Sequence, residues 1–178
     1  MAFLIVVLAA TACTWRAGHD EIDIDAARQF DGYPLYWLGD RFERWDLEHV
    51  EVSPTSFSTF VYGRCTPHGA DEPSCSPPLQ VQIQPLCAHL EVVARAPIWL
   101  HRRVRGAPVG RIDSAPVLFT SRAQVKVYRG EGSDAGAPLR ALRALRSINE
   151  VQPVIRPHGP IPGPAPGVLA GTRACTLP

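Results

Sequence analysis

Leu79-Gln80-Val81-Gln82-Ile83-Gln84 decides the fold class. Apolar and polar residues alternate strictly, so Leu79, Val81 and Ile83 line one face and three glutamines line the other. That is the pattern of a strand with one face in a core. Ala123, Val125 and Val127 alternate with Gln124, Lys126 and Tyr128 in the same way. The run Val117-Leu118-Phe119-Thr120 precedes them, and Thr120-Ser121-Arg122 makes a plausible turn between the two. Residues 56–62 are rich in aromatic and β-branched side chains, which fit a pleated surface. Residues 47–52 lie before them across Ser53-Pro54-Thr55, and the pair reads as a hairpin. A further strand is expected over residues 98–104, ended by Gly106 and Pro108.

Helices are fewer. Residues 137–149 carry Pro138 in the first turn, where a missing N–H costs nothing. Leu139, Leu142, Leu145 and Ile148 gather on one side of that span, with Arg140, Arg143 and Arg146 over the other. Residues 20–30 could form a second, short helix, and residues 91–95 are ambiguous. Beyond Val154 the chain is Pro/Gly-rich and reads as an extended tail. Strands without a βαβ alternation, followed by a helix, predict an α+β fold: antiparallel sheet with one or two helices packed on one face. The expected organisation is a signal over residues 1–12, and a linker with a possible short helix over 13–30. A single α+β domain follows over 31–150, then a Pro/Gly-rich tail over 151–178 tied back by Cys175.

The chain opens with an unbroken apolar or small run from Ala2 to Ala12, which stops at Cys13. Eleven residues cannot cross a bilayer, which needs about 20 helical residues, but they suit the h-region of an export signal with Ala10-Thr11-Ala12 as cleavage site. Residues 9–13 (Ala-Ala-Thr-Ala-Cys) resemble a bacterial lipoprotein signal, which implies lipid attachment at Cys13. Two departures stand out: Ala10 replaces the usual Leu three residues before the cysteine, and no Lys or Arg precedes the apolar run. Plain secretion with cleavage at the same bond, or a short buried element starting the fold, are the alternatives. With Cys13 assigned to a lipid, Cys65, Cys75, Cys87 and Cys175 remain, an even number suited to an oxidising compartment. No Cys-x-x-Cys is present. Of three pairings, Cys65–Cys75 with Cys87–Cys175 is preferred: the first closes a polar loop, and the second ties the tail to the core. Free buried thiols are the alternative.

Hydrophobic residues make up 46% of the chain, which argues against global disorder. Removing leader and tail leaves roughly 140 residues, one domain's worth. The net charge of +1 hides an asymmetry. Residues 20–51 hold ten acids against Arg28, Arg41 and Arg44, whereas residues 95–146 hold eleven bases against Asp113, Glu131 and Asp134. Opposite halves of one domain could face and neutralise each other; a basic surface for an anionic partner is the sharper alternative.

Tyr33-Pro34-Leu35-Tyr36-Trp37-Leu38-Gly39, the Tyr62-Gly63-Arg64-Cys65 corner and Pro77-Pro78-Leu79-Gln80-Val81-Gln82 resemble an uncharacterised family of actinobacterial membrane-attached, lipoprotein-like proteins. The resemblance covers residues 33–150 and its motifs are structural. It implies a cell-envelope location and no known activity. The single Lys against 17 Arg is compatible with a GC-rich genome.

No Gly-x-Ser-x-Gly, Ser-x-x-Lys, His-Glu-x-x-His or phosphate-cradling glycine loop occurs, and no catalytic residue or cofactor is expected. His68 with Asp71 and Glu72 could ligate zinc, but solvated loop residues are the favoured reading and no metal site is assigned. Arg102, Arg103, Arg105, Arg140, Arg143 and Arg146 could meet phosphates or anionic headgroups. They lack interleaved aromatics for stacking on bases, and export argues further against nucleic acid. Tyr33, Tyr36 and Trp37 are a candidate recognition surface, with Arg140, Arg143 and Arg146 beside it; the same aromatics could equally be core of the first sheet. The reading that results is an extracytoplasmic, lipid-anchored envelope protein, binding or structural, attached to the membrane. Its partner would be a protein or an envelope component. The alternative is a secreted hydrolase with a site assembled from scattered residues.

Overall fold

The alternation over residues 79–84 becomes the middle of a long antiparallel sheet. The computed structural model describes residues 22–64, 76–88, 90 and 102–176. In chain order the elements are α1 (Ile24–Gln29), β1 (Tyr36–Trp37), β2 (Arg41–Phe42), β3 (Trp45–Glu51), β4 (Ser58–Tyr62) and β5 (Leu79–Pro85). They continue with β6 (Arg102–Val104), β7 (Ala107–Ile112), β8 (Ala115–Phe119), β9 (Ala123–Arg129), α2 (Ala137–Ala144) and β10 (Arg146–Ser147). Eight strands form one sheet in the order β2-β3-β4-β5-β9-β8-β7-β6, and β1 pairs with β10 in a two-stranded sheet. The large sheet is therefore two antiparallel meanders, β2–β5 and β6–β9, joined along β5 and β9.

Register shows why the alternation is strict where they join. Val81 pairs with Phe60 on one side and Val127 on the other; Ile83 pairs with Ser58 and Val125, and Val125 with Leu118. These residues share one face, and all of them are buried. Each large apolar side chain taken from water there contributes about 1.5–3 kcal/mol. The 3–4 hairpin expected from residues 47–62 is present as β3 and β4, with a register shift between Leu47 and His49. Gly63 ends β4 at φ +81°, and a Cβ on it would sit 2.8 Å from Trp45 Cδ1 and 2.9 Å from Pro78 Cγ. Only glycine fits that corner.

Both helices lie on this face. Asp23 caps α1, its carboxylate accepting from Ala26 N at 2.8 Å, and α1 buries Ala27. In α2, Ala137, Pro138, Ala141 and Leu142 are buried and Arg143 is exposed. The helix expected over residues 137–149 ends earlier, at Ala144. Leu145 turns extended (ψ 139°), and Arg146 and Ser147 pair with Trp37 and Tyr36. Strand pairing thus overrides a helical apolar spacing that continues through Leu145, which stays buried. The run expected over residues 98–104 is described only from Arg102. Gly106 ends it in a turn, but Pro108 lies inside β7, a strand that its Ala-Pro-Val-Gly sequence conceals.

Residues 151–176 hold no regular element, yet they pack. Ile155 and Ile161 join the main core. Ser147 N donates to Ile155 O at 2.9 Å, Ile161 N to Arg105 O at 2.7 Å and Ser121 N to Pro162 O at 2.8 Å. Arg105 grips the same segment. Its Nε donates to Gly159 O at 2.5 Å, Nη1 to Leu145 O at 2.5 Å and Arg143 O at 3.2 Å, and Nη2 to Arg156 O. Further on, Val168 packs with Leu86, Ile112, Val117 and Phe119 in a smaller cluster on the opposite face of the sheet. The Cys87–Cys175 disulfide, Cα atoms 5.5 Å apart and 88 residues apart in sequence, fastens this strap. That bond points to an oxidising, extracytoplasmic compartment. The Cys65–Cys75 pairing and the His68, Asp71, Glu72 group lie outside the described residues, as does Cys13. No helix among the described residues is long and apolar enough to cross a membrane.

Candidate functional site

The aromatic surface expected at Tyr33, Tyr36 and Trp37 is core instead. Tyr33 is 2%, Tyr36 0% and Trp37 8% exposed, and the two tyrosine hydroxyls are used internally. Tyr33 Oη meets Ser58 Oγ at 2.8 Å and donates to Ser53 O at 2.9 Å. Tyr36 Oη donates to Pro153 O at 3.2 Å. Burial pushes the Tyr36 phenol up to about 12 and raises Tyr33 and Tyr62 as well. Asn149 explains why the segment folds inward. It is buried, accepts from Leu35 N at 2.9 Å, and donates to Phe30 O at 2.8 Å and Tyr33 O at 2.9 Å.

The three arginines placed beside that surface do not act together. Arg140 pairs with Glu43 at 2.6 Å and Asp134 at 2.7 Å, and this holds the Asp134 carboxyl down at about 2. Arg146 lies over Trp37, Cζ 5.2 Å from the ring centroid; a Cβ on Gly39 would collide with its guanidinium. Arg143 reaches solvent at the end of α2. Of the other basic residues singled out by sequence, Arg105 is spent on carbonyls and Arg103 turns back to Gly106 O at 2.8 Å.

Arg102 is different. It pairs with Val109 in β6–β7, so both point to the face that carries α2. Arg111 follows Val109 by two residues and pairs with Pro116; it shares that face. Leu118 pairs with Val125, which puts Val127 and Arg129 there too. Three exposed arginines from three strands therefore project from one surface, beyond the start of α2. They line a cavity of about 760 Å³, with Val109, Val127 and the half-buried Pro116 as apolar floor and Pro138 and Leu139 of α2 as wall. Arg102 and Arg111 are diagonal neighbours, about 7–8 Å apart at the backbone. None of the three makes an ion pair with a described residue. Asp113, in the β7–β8 turn, is the acid among the described residues lining the cavity.

The expected facing of acidic and basic halves is thus only partly realised. Among the described residues one ion pair, Arg140–Glu43, links the two; Arg28–Asp25 and Arg41–Asp46 are internal to the acidic half, and Arg64, outside both, pairs with Glu48. A second cavity, about 600 Å³, lies at α1 and is lined by Asp23, Asp25, Asp40 and Arg28. Among the described residues no group of three His, Cys, Asp or Glu could hold a metal ion. Chemically, the arginine-lined surface offers fixed cations above an apolar floor, which suits holding an anion that has an apolar body. Sequence reasoning had Arg102 and missed Arg111 and Arg129. The signal was there in β9, where Arg129 keeps the parity of Val125 and Val127, but Arg111 needed β7 to be recognised.

No protein-family model, curated protein or solved structure matches this chain.

Proposed function

We propose that this protein is an extracytoplasmic, lipid-anchored cell-envelope module that binds a ligand in the arginine-lined groove, without catalysis. One observation carries the binding reading: Arg102, Arg111 and Arg129 stand on one sheet face over an apolar floor, with no described carboxylate paired to any of them. Like charges placed together without counterions repel, so a bound anion would relieve them. The disulfide supports residence outside the cytoplasm. The apolar residues 2–12 before Cys13 support a lipid anchor there, and the family resemblance of residues 33–150 supports the envelope. Nothing in the groove geometry favours the hydrolase reading over this one.

Two measurements in the native host test it. Metabolic labelling with a fatty-acid analogue should mark the wild type and not Cys13→Ala; unlabelled wild type in the medium would reject the anchor. Native mass spectrometry of protein from host membranes should show a noncovalent small-molecule adduct. That adduct should be lost from Arg102→Gln/Arg111→Gln/Arg129→Gln. An adduct-free wild type would reject the binding reading.

A further inference from the structure

We infer that the groove takes a single-chain anionic amphiphile, its carboxylate or phosphate head held between the neighbouring Arg102 and Arg111, its apolar chain laid along Pro116 and Leu139, and Arg129 farther along the same face adding to the positive field. This rests on the binding reading above and names the ligand class. Charge and shape argue it together. Guanidinium groups present planar forks that match carboxylate and phosphate oxygens two at a time. Here they come from β6, β7 and β9, strands whose register is set by the core, so Arg102 and Arg111 are neighbours, and Arg129 is on the same face, without ordering a loop. Charge alone would suit a free anion. The floor between the arginines is apolar, however, and it is continued by the α2 wall at Pro138 and Leu139. Val109 and Val127 are already buried, so the apolar surface open to a ligand is that of the half-buried Pro116 and Leu139, which an inorganic anion would leave wet and a chain would cover. The volume, about 760 Å³, lies within the ~300–1,000 Å³ range of sites for one small organic ligand, which favours one chain over a two-chain lipid. A cationic or neutral amphiphile would meet the same floor but leave three positive charges without partners.

The probes are dodecanoate, dodecyl phosphate, decanoate, dodecyltrimethylammonium and inorganic phosphate, below micellar concentration. They are titrated calorimetrically into the full chain carrying Cys13→Ser, so that no attached lipid competes, with the disulfide intact. Dodecanoate and dodecyl phosphate should bind one to one; whichever is tighter distinguishes a fatty-acid source from a phosphorylated one. Decanoate should be weaker by about two- to fourfold per methylene removed. Arg111→Gln should weaken dodecanoate several-fold and the triple glutamine variant at least tenfold, with unfolding midpoints that do not fall. Leu139→Ser should weaken dodecanoate while leaving inorganic phosphate unchanged. Equal affinity for dodecyltrimethylammonium would overturn the inference, as would phosphate binding as tightly as dodecyl phosphate. If no amphiphile binds but the host adduct is real and arginine-dependent, the ligand class is wrong and the binding reading stands. If both are missing, both fail.

Discussion

The two meanders of the sheet have the same number of strands and opposite habits. Around β2–β5, large polar side chains are turned inward and hydrogen-bonded: Tyr33 to Ser58, Tyr62 to Leu38 N, Asn149 to residues 30–35. In β6–β9 one face is closed over a small cluster by an irregular strap under a disulfide. The other face runs out past α2 into a groove edged with arginines that pair with no described carboxylate. The acids of the sequence sit with the first region and the bases with the second. The difference teaches that one continuous sheet can carry a half whose face is closed and a half whose face opens into a groove. The burial of β5 and β9 binds the two.

The sharpest way to break that comparison is to cut the same side chain from each half. Phe60→Ala, in the main core, should cost about 3–5 kcal/mol in chemical denaturation. Phe119→Ala, in the small cluster under the strap, should fall at or below the bottom of that range because the strap can settle into the gap. Equal costs would mean that the halves are equally well packed. Leu142→Ala should cost about 2–5 kcal/mol, and Arg143→Ala should stay within about 0.5 kcal/mol; equal, negligible costs would mean that α2 is not docked on the sheet. Removing the disulfide with Cys87→Ser/Cys175→Ser should cost about 2–4 kcal/mol. Amide exchange should speed up at Gly171 and Thr172 and hold at Gly63; uniform acceleration would erase the distinction between strap and core.

Alkaline titration tests the closed half alone. Tyr36 is held up to about 12 against an ordinary 10.0, so the unfolded chain loses its phenolic proton first. Stability is therefore complete below pH 10 and falls as pH rises from 10 towards 12, by about 2–3 kcal/mol from this residue. Tyr33 and Tyr62 shift in the same direction. Unfolding followed by phenolate absorbance should be cooperative. In a Tyr128→Phe background, which leaves only the three buried phenols, gradual ionisation in the folded protein at pH 10 would show that the aromatics are not buried as described.

Much of the sheet was legible because its strongest signals are local. The period of two in residues 79–84 and 123–128 survives as β5 and β9, and the hairpin before them as β3 and β4. What was hidden is what depends on distant partners. β7 contains Pro108 and Gly110, residues that read as punctuation, and it is a strand because β6 and β8 flank it. Helix spacing continues through Leu145 and Ile148, but Tyr36 and Trp37 capture Arg146 and Ser147 as a strand. Tyr33, Tyr36 and Trp37 suited a surface or a core equally by composition. Asn149, more than a hundred residues away, decides for the core. The groove was least legible: Arg102, Arg111 and Arg129 share no motif, and only register across four strands puts them on one face.

Arg105 has a consequence for how this chain can vary. Its guanidinium holds carbonyls of Arg143, Leu145, Arg156 and Gly159 at once. A lysine has three donors on one nitrogen and cannot span that set. Charge-preserving exchange, among the mildest drifts open to a surface cation, is closed at this position. In divergent descendants Arg105 should change only together with the segment from 156 to 159, so the two would be inherited as one unit.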